Sequence, residues 1–241
     1  NTLTAALYAY REGITAEEFP AFRANWHMKP AEALFDSVSK EFSGKNIIYA
    51  RHGESEANAA RIVQPKNSPL TKAGRKHAVD LAADLKEKHV SKIITSPTTR
   101  ALETAEIVAK ELGGLEVEVM EEFSGYDTGD LKGLGIEELG GMTPIEKANE
   151  VGTGESIEDY YARIKKGYKA LGNIETEGSV LVVSHRTVFS AIQSCREGKP
   201  ATDIFARRAQ NRALPHGILE ESTLPASADA GLVQDEDTLD T

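Results

Sequence analysis

The spacing of apolar and polar positions changes character near residue 45. Before it, Leu34, Val38 and Phe42 recur at helical intervals along one face. Pro30 suits the first turn of such a helix and Gly44 its end. Residues 1–44 therefore read as an N-terminal helical extension. From Lys45 onward, short apolar runs alternate with amphipathic stretches. Runs at 46–50, 92–95 and 179–184 have the continuous apolar character of strands buried on both faces. At 115–120, Leu115, Val117 and Val119 alternate with Glu116 and Glu118, as in a half-buried strand. Helices are expected at 54–61, 71–88 (with Ala73, Leu81 and Leu85 apolar), 98–112, 156–171 and 187–194. Ser156 and Asp159 resemble a capping box at the start of the fourth, and Ile157, Tyr160, Ile164 and Leu171 share one of its sides. Gly113-Gly114 ends the third. The glycine-rich, weakly periodic stretch 123–154 reads as largely loop. This alternation defines an α/β fold, a three-layer sandwich with a mostly parallel central sheet flanked by helices. Residues 45–221 form its main domain, and 222–241 an acidic, disordered tail.

Composition narrows the classes. The chain has 241 residues, 40% hydrophobic and 27% charged, which suits a soluble globular protein. No apolar run approaches a membrane span, and no secretory leader is visible at the N-terminus. The first residue is Asn1 rather than Met, which leaves open whether residues precede it. A lone cysteine, Cys195, permits no internal disulfide and fits a reducing, cytoplasmic setting. Of the net charge of −10, seven acidic residues with no Lys or Arg fall in 220–241, leaving −3 on the rest. A nearly balanced body does not suggest a nucleic-acid surface. The expected partner is a small phosphorylated substrate or a phosphoprotein, with no nucleic acid and no membrane; oligomeric state is left open. No GxxxxGK[ST] loop, cysteine pair or HExxH stretch is present, so neither a cofactor nor a metal is expected.

Charge appears where three apolar strands end. The first runs into Arg51-His52, the second leads through Ser96-Pro97-Thr98-Thr99 to Arg100, and the fourth ends at His185-Arg186. In open α/β sheets ligands bind beyond the carboxyl ends of strands. Helix N-termini favour anions there, and guanidinium groups grip phosphate oxygens in a fork. Several arginines and two histidines brought together in this way describe a phosphate pocket.

These residues carry a resemblance. Arg51-His52-Gly53-Glu54-Ser55-Glu56-Ala57-Asn58 is similar to the RHGxSxxN signature of the histidine phosphatase superfamily, also called phosphoglycerate mutase-like. In order along 46–218 follow Ser68-Pro69-Leu70-Thr71-Lys72-Ala73-Gly74, Ser96-Pro97 through Arg100-Ala101 and Thr104-Ala105, Gly154-Glu155-Ser156 with Arg163, and Val182-Val183-Ser184-His185. Each resembles a family segment. The resemblance implies His52 as a nucleophile that forms a phosphohistidine. It implies that Arg51, Arg100 and His185 hold the phosphoryl oxygens, helped by Asn58. Arg61 and Arg186 are further candidates for the phosphate. Gly53 is expected to let the backbone turn closely beneath it.

The family's proton donor is a Glu four residues before the first glycine of a GxxxG stretch. Here Gly129 opens that stretch, and the position four before it is Gly125. Asp127 is the first substitute, then Glu122 and Glu121. His27, His77, His89 and His216 match no catalytic motif. The 58 residues from Asp127 to His185 leave no room for the long insertion of the mutases. The expected function is thus metal-independent hydrolysis of phosphomonoesters. Mutase-type phosphoryl transfer, and a catalytically weak relative that binds phosphorylated ligands or partners, are the alternatives.

Overall fold

The computed structural model describes residues 45–210 and 216–224. The expectations for 1–44 and for most of the acidic tail lie outside them. The chain separates into two compact units, and the one built on Asn46–Ser222 holds β2 to β4 and most of β1 and β5. Its elements run β1 (Lys45–Arg51), α1 (Glu56–Ala59), α2 (Lys72–Leu85), β2 (Val90–Thr95), α3 (Thr99–Glu111), β3 (Val117–Val119), α4 (Pro144–Val151), α5 (Ile157–Gly172), β4 (Ser179–Ser184), α6 (Arg186–Arg196), α7 (Asp203–Gln210) and β5 (Gly217–Leu224).

The five strands form one mixed, mostly parallel sheet in the order β3-β2-β4-β1-β5. β1 pairs parallel with β4, and β2 parallel with both β4 and β3. After β1 the chain crosses over β4 to reach β2, whereas after β4 it crosses over β1 to reach β5. The direction of winding therefore reverses between β1 and β4, which sit side by side with Arg51 opposite Ser184. That reversal opens a crevice at the carboxyl ends of these two strands. The histidines that follow them, His52 and His185, stand on its rim.

Strict alternation within the strands builds two cores. Ile48 and Ala50 of β1, Ile93 of β2, and Leu181 and Val183 of β4 face one way, under α2 and α3. From the opposite face Tyr49 meets Phe189 of α6, ring centroids 6.1 Å apart. Ile157, Tyr160, Ile164 and Leu171 of α5 are buried as their spacing requires. Among the described residues no helix is long and apolar enough to cross a membrane.

Several boundaries differ from expectation. The helix expected over 71–88 is α2 followed by a 3-10 turn, Lys86–Lys88, which ends where His89 turns left-handed at φ 49°. Its buried stripe is Gly74, Ala78, Leu81, Ala82 and Leu85, while Ala73 faces solvent. β3 is shorter than expected and lies at the sheet edge, with Val119 46% exposed. The stretch 123–154 holds the helix α4, opened by a capping box in which Thr143 Oγ1 accepts from Glu146 N and Glu146 accepts from Thr143 N. Pro144 supplies its first position. α7 and β5 were not anticipated, and β5 runs to Leu224, past the expected start of the tail.

Two glycines cross behind β1. A Cβ on Gly53 would lie 2.3 Å from the Gly74 carbonyl oxygen, and one on Gly74 would lie 1.9 Å from the Glu54 carbonyl oxygen. Thr71 N donates to that same Glu54 oxygen at 3.0 Å. Gly53 is thus needed for the close approach of α2's first turn. The contact pins the backbone that carries His52.

Candidate active site

His52 leaves β1 with its N–H donating to the Ser184 carbonyl at 3.0 Å, continuing the ladder one step beyond the strand. Its Nδ1 lies 2.7 Å from the Gly53 carbonyl oxygen. A carbonyl only accepts, so Nδ1 carries the proton and Nε2 keeps its lone pair. Burial holds the His52 imidazole well below its ordinary pKa, and His185, Arg100 and Arg51 push it in the same direction. The ring is neutral at neutral pH.

His185 approaches from β4, its ring centroid 5.1 Å from that of His52. Ser96 Oγ and Thr98 Oγ1, from the turn between β2 and α3, hold its Nε2 at 2.9 and 3.2 Å. Burial, then Arg100 and Arg51, keep it neutral as well. Arg100, in the first turn of α3, donates from Nη1 to the Pro65 carbonyl at 2.9 Å, while its Nε is buried with no partner. Burial lowers its pKa to about 10, so it remains a cation at neutral pH. Thr104 Oγ1 ties the two sides together: it accepts from Gly53 N at 3.0 Å and donates to the Arg100 carbonyl. Asn58 Oδ1 accepts from Ser55 N and Oγ, completing the cap of α1, so its side-chain NH2 is the end left for the cavity. Arg61, at φ 55°, also lines the cavity, as does half-buried Arg186 at the start of α6.

The structure does not bring the three expected carboxylates to this place. Asp127 is exposed, ion-paired with Lys132 at 2.5 Å, and its Oδ1 accepts from Gly129 N. Lys132 above all holds its carboxyl below the usual range, the reverse of what a proton donor needs. Glu122 pairs with Lys166 at 2.8 Å, which likewise lowers its pKa, and Glu121 faces Lys66. The cause is local. In the 3-10 turn Glu121–Phe123 it is Phe123 that points into the core, which turns both glutamates outward.

Beyond Phe123 the loop is clamped by Arg163 of α5. Its Nη1 donates to the carbonyls of Glu122 at 2.8 Å and Ser124 at 3.0 Å, and its Nη2 to both oxygens of Glu155. Glu155 Oε1 in turn accepts from Asp127 N at 2.7 Å. The Gly-Glu-Ser…Arg segment therefore fixes the loop's backbone. It delivers Gly125, rather than Asp127, to the crevice: a Cβ on Gly125 would stand 3.2 Å from His185 Cδ2.

The cavity has a volume of about 500 Å³. Arg51, His52, Asn58, Arg100, His185 and Arg186 are among its lining residues. Ile62, Val63, Tyr126, Ile136, Met142 and Ile145 also line it. Among the described residues no Asp or Glu lines it.

Sequence reasoning missed His216. Its Nδ1 lies 2.6 Å from the His52 carbonyl oxygen and donates to it, and its ring stacks on His77 at 5.1 Å. Burial lowers its pKa to about 4. No motif marks it. Ser96, Thr98 and Thr104 lie within the Ser96–Ala105 segment, whose pattern marks none of them for a role.

Three neutral imidazoles, two buried and one half-buried, have a consequence for stability. The unfolded chain protonates His52, His185 and His216 near pH 6.5, while the folded chain resists until lower pH. Below pH 6.5 the unfolded state binds more protons, so the stability present above that pH is lost as pH falls. The urea midpoint is expected to drop between pH 6.5 and about 5, and less steeply in His216→Ala. A midpoint unchanged across that window would contradict the lowered pKa of these rings.

Two histidines stand at the switch point of a mostly parallel sheet, beside the buried Arg51 and Arg100. The chain belongs to the histidine phosphatase superfamily: the sequence profile of that superfamily's branch 1 matches residues 47–220. It is similar to "Phosphoglycerate mutase-like protein 4" of Arabidopsis thaliana, 31% identical over 67% of this chain and 74% of that one. It is also similar to "Probable phosphoglycerate mutase GpmB" of Photorhabdus laumondii, 32% identical over 75% of this chain and 88% of that one. Among solved structures, YhfR of Bacillus stearothermophilus superposes with a TM-score of 0.60 at 26% identity, covering 78% of this chain and 98% of that one.

Proposed function

We propose that the protein is a metal-independent phosphomonoester hydrolase working through a phosphohistidine on His52. The observation that carries this is the Nδ1 to Gly53 carbonyl bond, which leaves Nε2 as the free lone pair of a neutral ring among buried cations. Nε2 attacks phosphorus and the P–N bond forms as the P–O bond to the leaving group breaks, its electron pair staying on that oxygen. Water then attacks phosphorus, the P–N pair returns to Nε2, and the water proton goes to solvent. Arg51, Arg100, His185 and the Asn58 amide hold the phosphoryl oxygens, where preorganised donors do most of the work of phosphoryl transfer. Splitting one displacement into two lowers each barrier.

The test is rapid quenching of the protein with labelled p-nitrophenyl phosphate in the presence of a chelator. An acid-labile, base-stable label approaching one per chain and mapping to His52 is expected. Steady turnover with no such label would sink the reading. The names of the relatives favour a second reading, phosphoryl transfer between phosphoglycerates, which would show dependence on a bisphosphate primer. The outward-turned Asp127 favours a third, a weak relative that binds phosphorylated ligands or partners, which would show saturable phosphate binding with no turnover.

A further inference from the structure

We infer that the substrates are phosphate esters of acidic hydroxyl groups on a compact apolar body, with aryl phosphates as the representative class; this rests on the hydrolase reading above. Breaking a P–O bond leaves the electron pair on the departing oxygen. An alkoxide is too basic to leave unaided and takes a proton in the transition state, whereas an aryloxide leaves as the anion.

No group described at the crevice is suited to giving that proton. Asp127, Glu121 and Glu122 are turned away into ion pairs with Lys132, Lys66 and Lys166. Gly125, which the clamped loop sets against the His185 ring, has no side chain. His185 is neutral and offers a hydrogen bond rather than a transferable proton. The Tyr126 hydroxyl donates to the Glu155 carbonyl, and burial raises its pKa. The remaining hydroxyls on the lining, Thr128, Thr143 and Thr187, are alkanols and poor acids. The lining also includes the apolar residues Ile62, Val63, Ile136, Met142 and Ile145. Burying an aromatic leaving group there is favourable in proportion to its apolar area, whereas a polyhydroxylated one would lose hydrogen bonds to water.

The experiment is a leaving-group series: kcat/KM at fixed pH for p-nitrophenyl, phenyl and 4-ethylphenyl phosphates, then for ethyl and glycerol phosphates. A general acid is worth about 10²–10⁴-fold. Without one, kcat/KM is expected to fall steeply along the series, by at least about 10³-fold from p-nitrophenyl to ethyl phosphate. In Gly125→Glu the slope should flatten, with alkyl phosphates gaining and p-nitrophenyl phosphate changing little. A wild-type slope within tenfold across the series would overturn the inference, since a proton would then be supplied from somewhere, and this readout needs no variant to fold. The failures are separable. Flat but His52-dependent turnover removes this inference alone; absence of His52-dependent turnover on every ester removes the hydrolase reading beneath it.

Discussion

His52→Ala is expected to lower kcat/KM for p-nitrophenyl phosphate by about 10⁴-fold or more. The substitution removes the lone pair on Nε2 that the Gly53 carbonyl bond keeps available. It leaves untouched the groups proposed to bind phosphate: His185 stays held by Ser96 and Thr98, and Arg100 by the Pro65 carbonyl. Activity and binding should therefore part company. Phosphate should still raise the melting temperature of His52→Ala, while turnover and the acid-labile label disappear. Free imidazole in the buffer should restore part of the hydrolysis, because the space vacated lies among the same cations. The fold is expected to survive: burial holds the ring neutral, so the variant loses a satisfied polar group and no ion pair. Retention of full activity would show that His52 is not the nucleophile. Loss of both turnover and phosphate stabilisation would give His52 a structural role instead.

The groups on the cationic wall were legible because strand ends are legible. Ile47 to Ala50 and Val180 to Val183 are unbroken apolar runs, so Arg51-His52 and His185-Arg186 had to emerge at the same edge of a parallel sheet. The proton donor was not legible for a related reason. Spacing placed Asp127 near the crevice but could not say which way it faced. That is decided by Glu155 and Arg163, 28 and 36 residues further on, which grip the loop backbone and present Gly125 inward. α4 was missed although Thr143-Pro144-Ile145-Glu146 carries both a capping residue pair and a proline at the first position, because the surrounding glycines hid it. His216 had no local signal at all. Its role comes from β5 lying beside β1, a pairing that no pattern within residues 217–224 announces.

Arg100→Met is expected to make the ligand-free protein more stable and the enzyme far less active. The guanidinium is buried, donates to one carbonyl and has its Nε unsatisfied. Burial lowers its pKa from 12.5 to about 10, which means the folded state disfavours the charge. At about 1.4 kcal/mol for each pH unit, that corresponds to a penalty on the order of 3 kcal/mol at neutral pH. Because the folded pKa is the lower one, the penalty is fully present at neutral pH and fades only as pH rises through about 10. Methionine reproduces the unbranched stem of the side chain without the charged head, and half-buried Pro65 can offer its carbonyl to water. A gain of about 1–2 kcal/mol is expected after that hydrogen bond is lost. The wild type is expected to recover the penalty when an anion binds: phosphate at a hundredfold excess over its Kd should add about 2.7 kcal/mol. In Arg100→Met that increment should largely vanish, and kcat/KM for p-nitrophenyl phosphate should fall about 10²–10³-fold through loss of transition-state charge stabilisation. Thermal unfolding with and without phosphate, read beside turnover, tests the two signs together. A variant that is less stable without phosphate yet still stabilised by it would show that the Arg100 cation serves the fold and not the anion. The opposite signs would identify the buried, half-satisfied guanidinium as a cost that the fold bears to keep a phosphate site prepared.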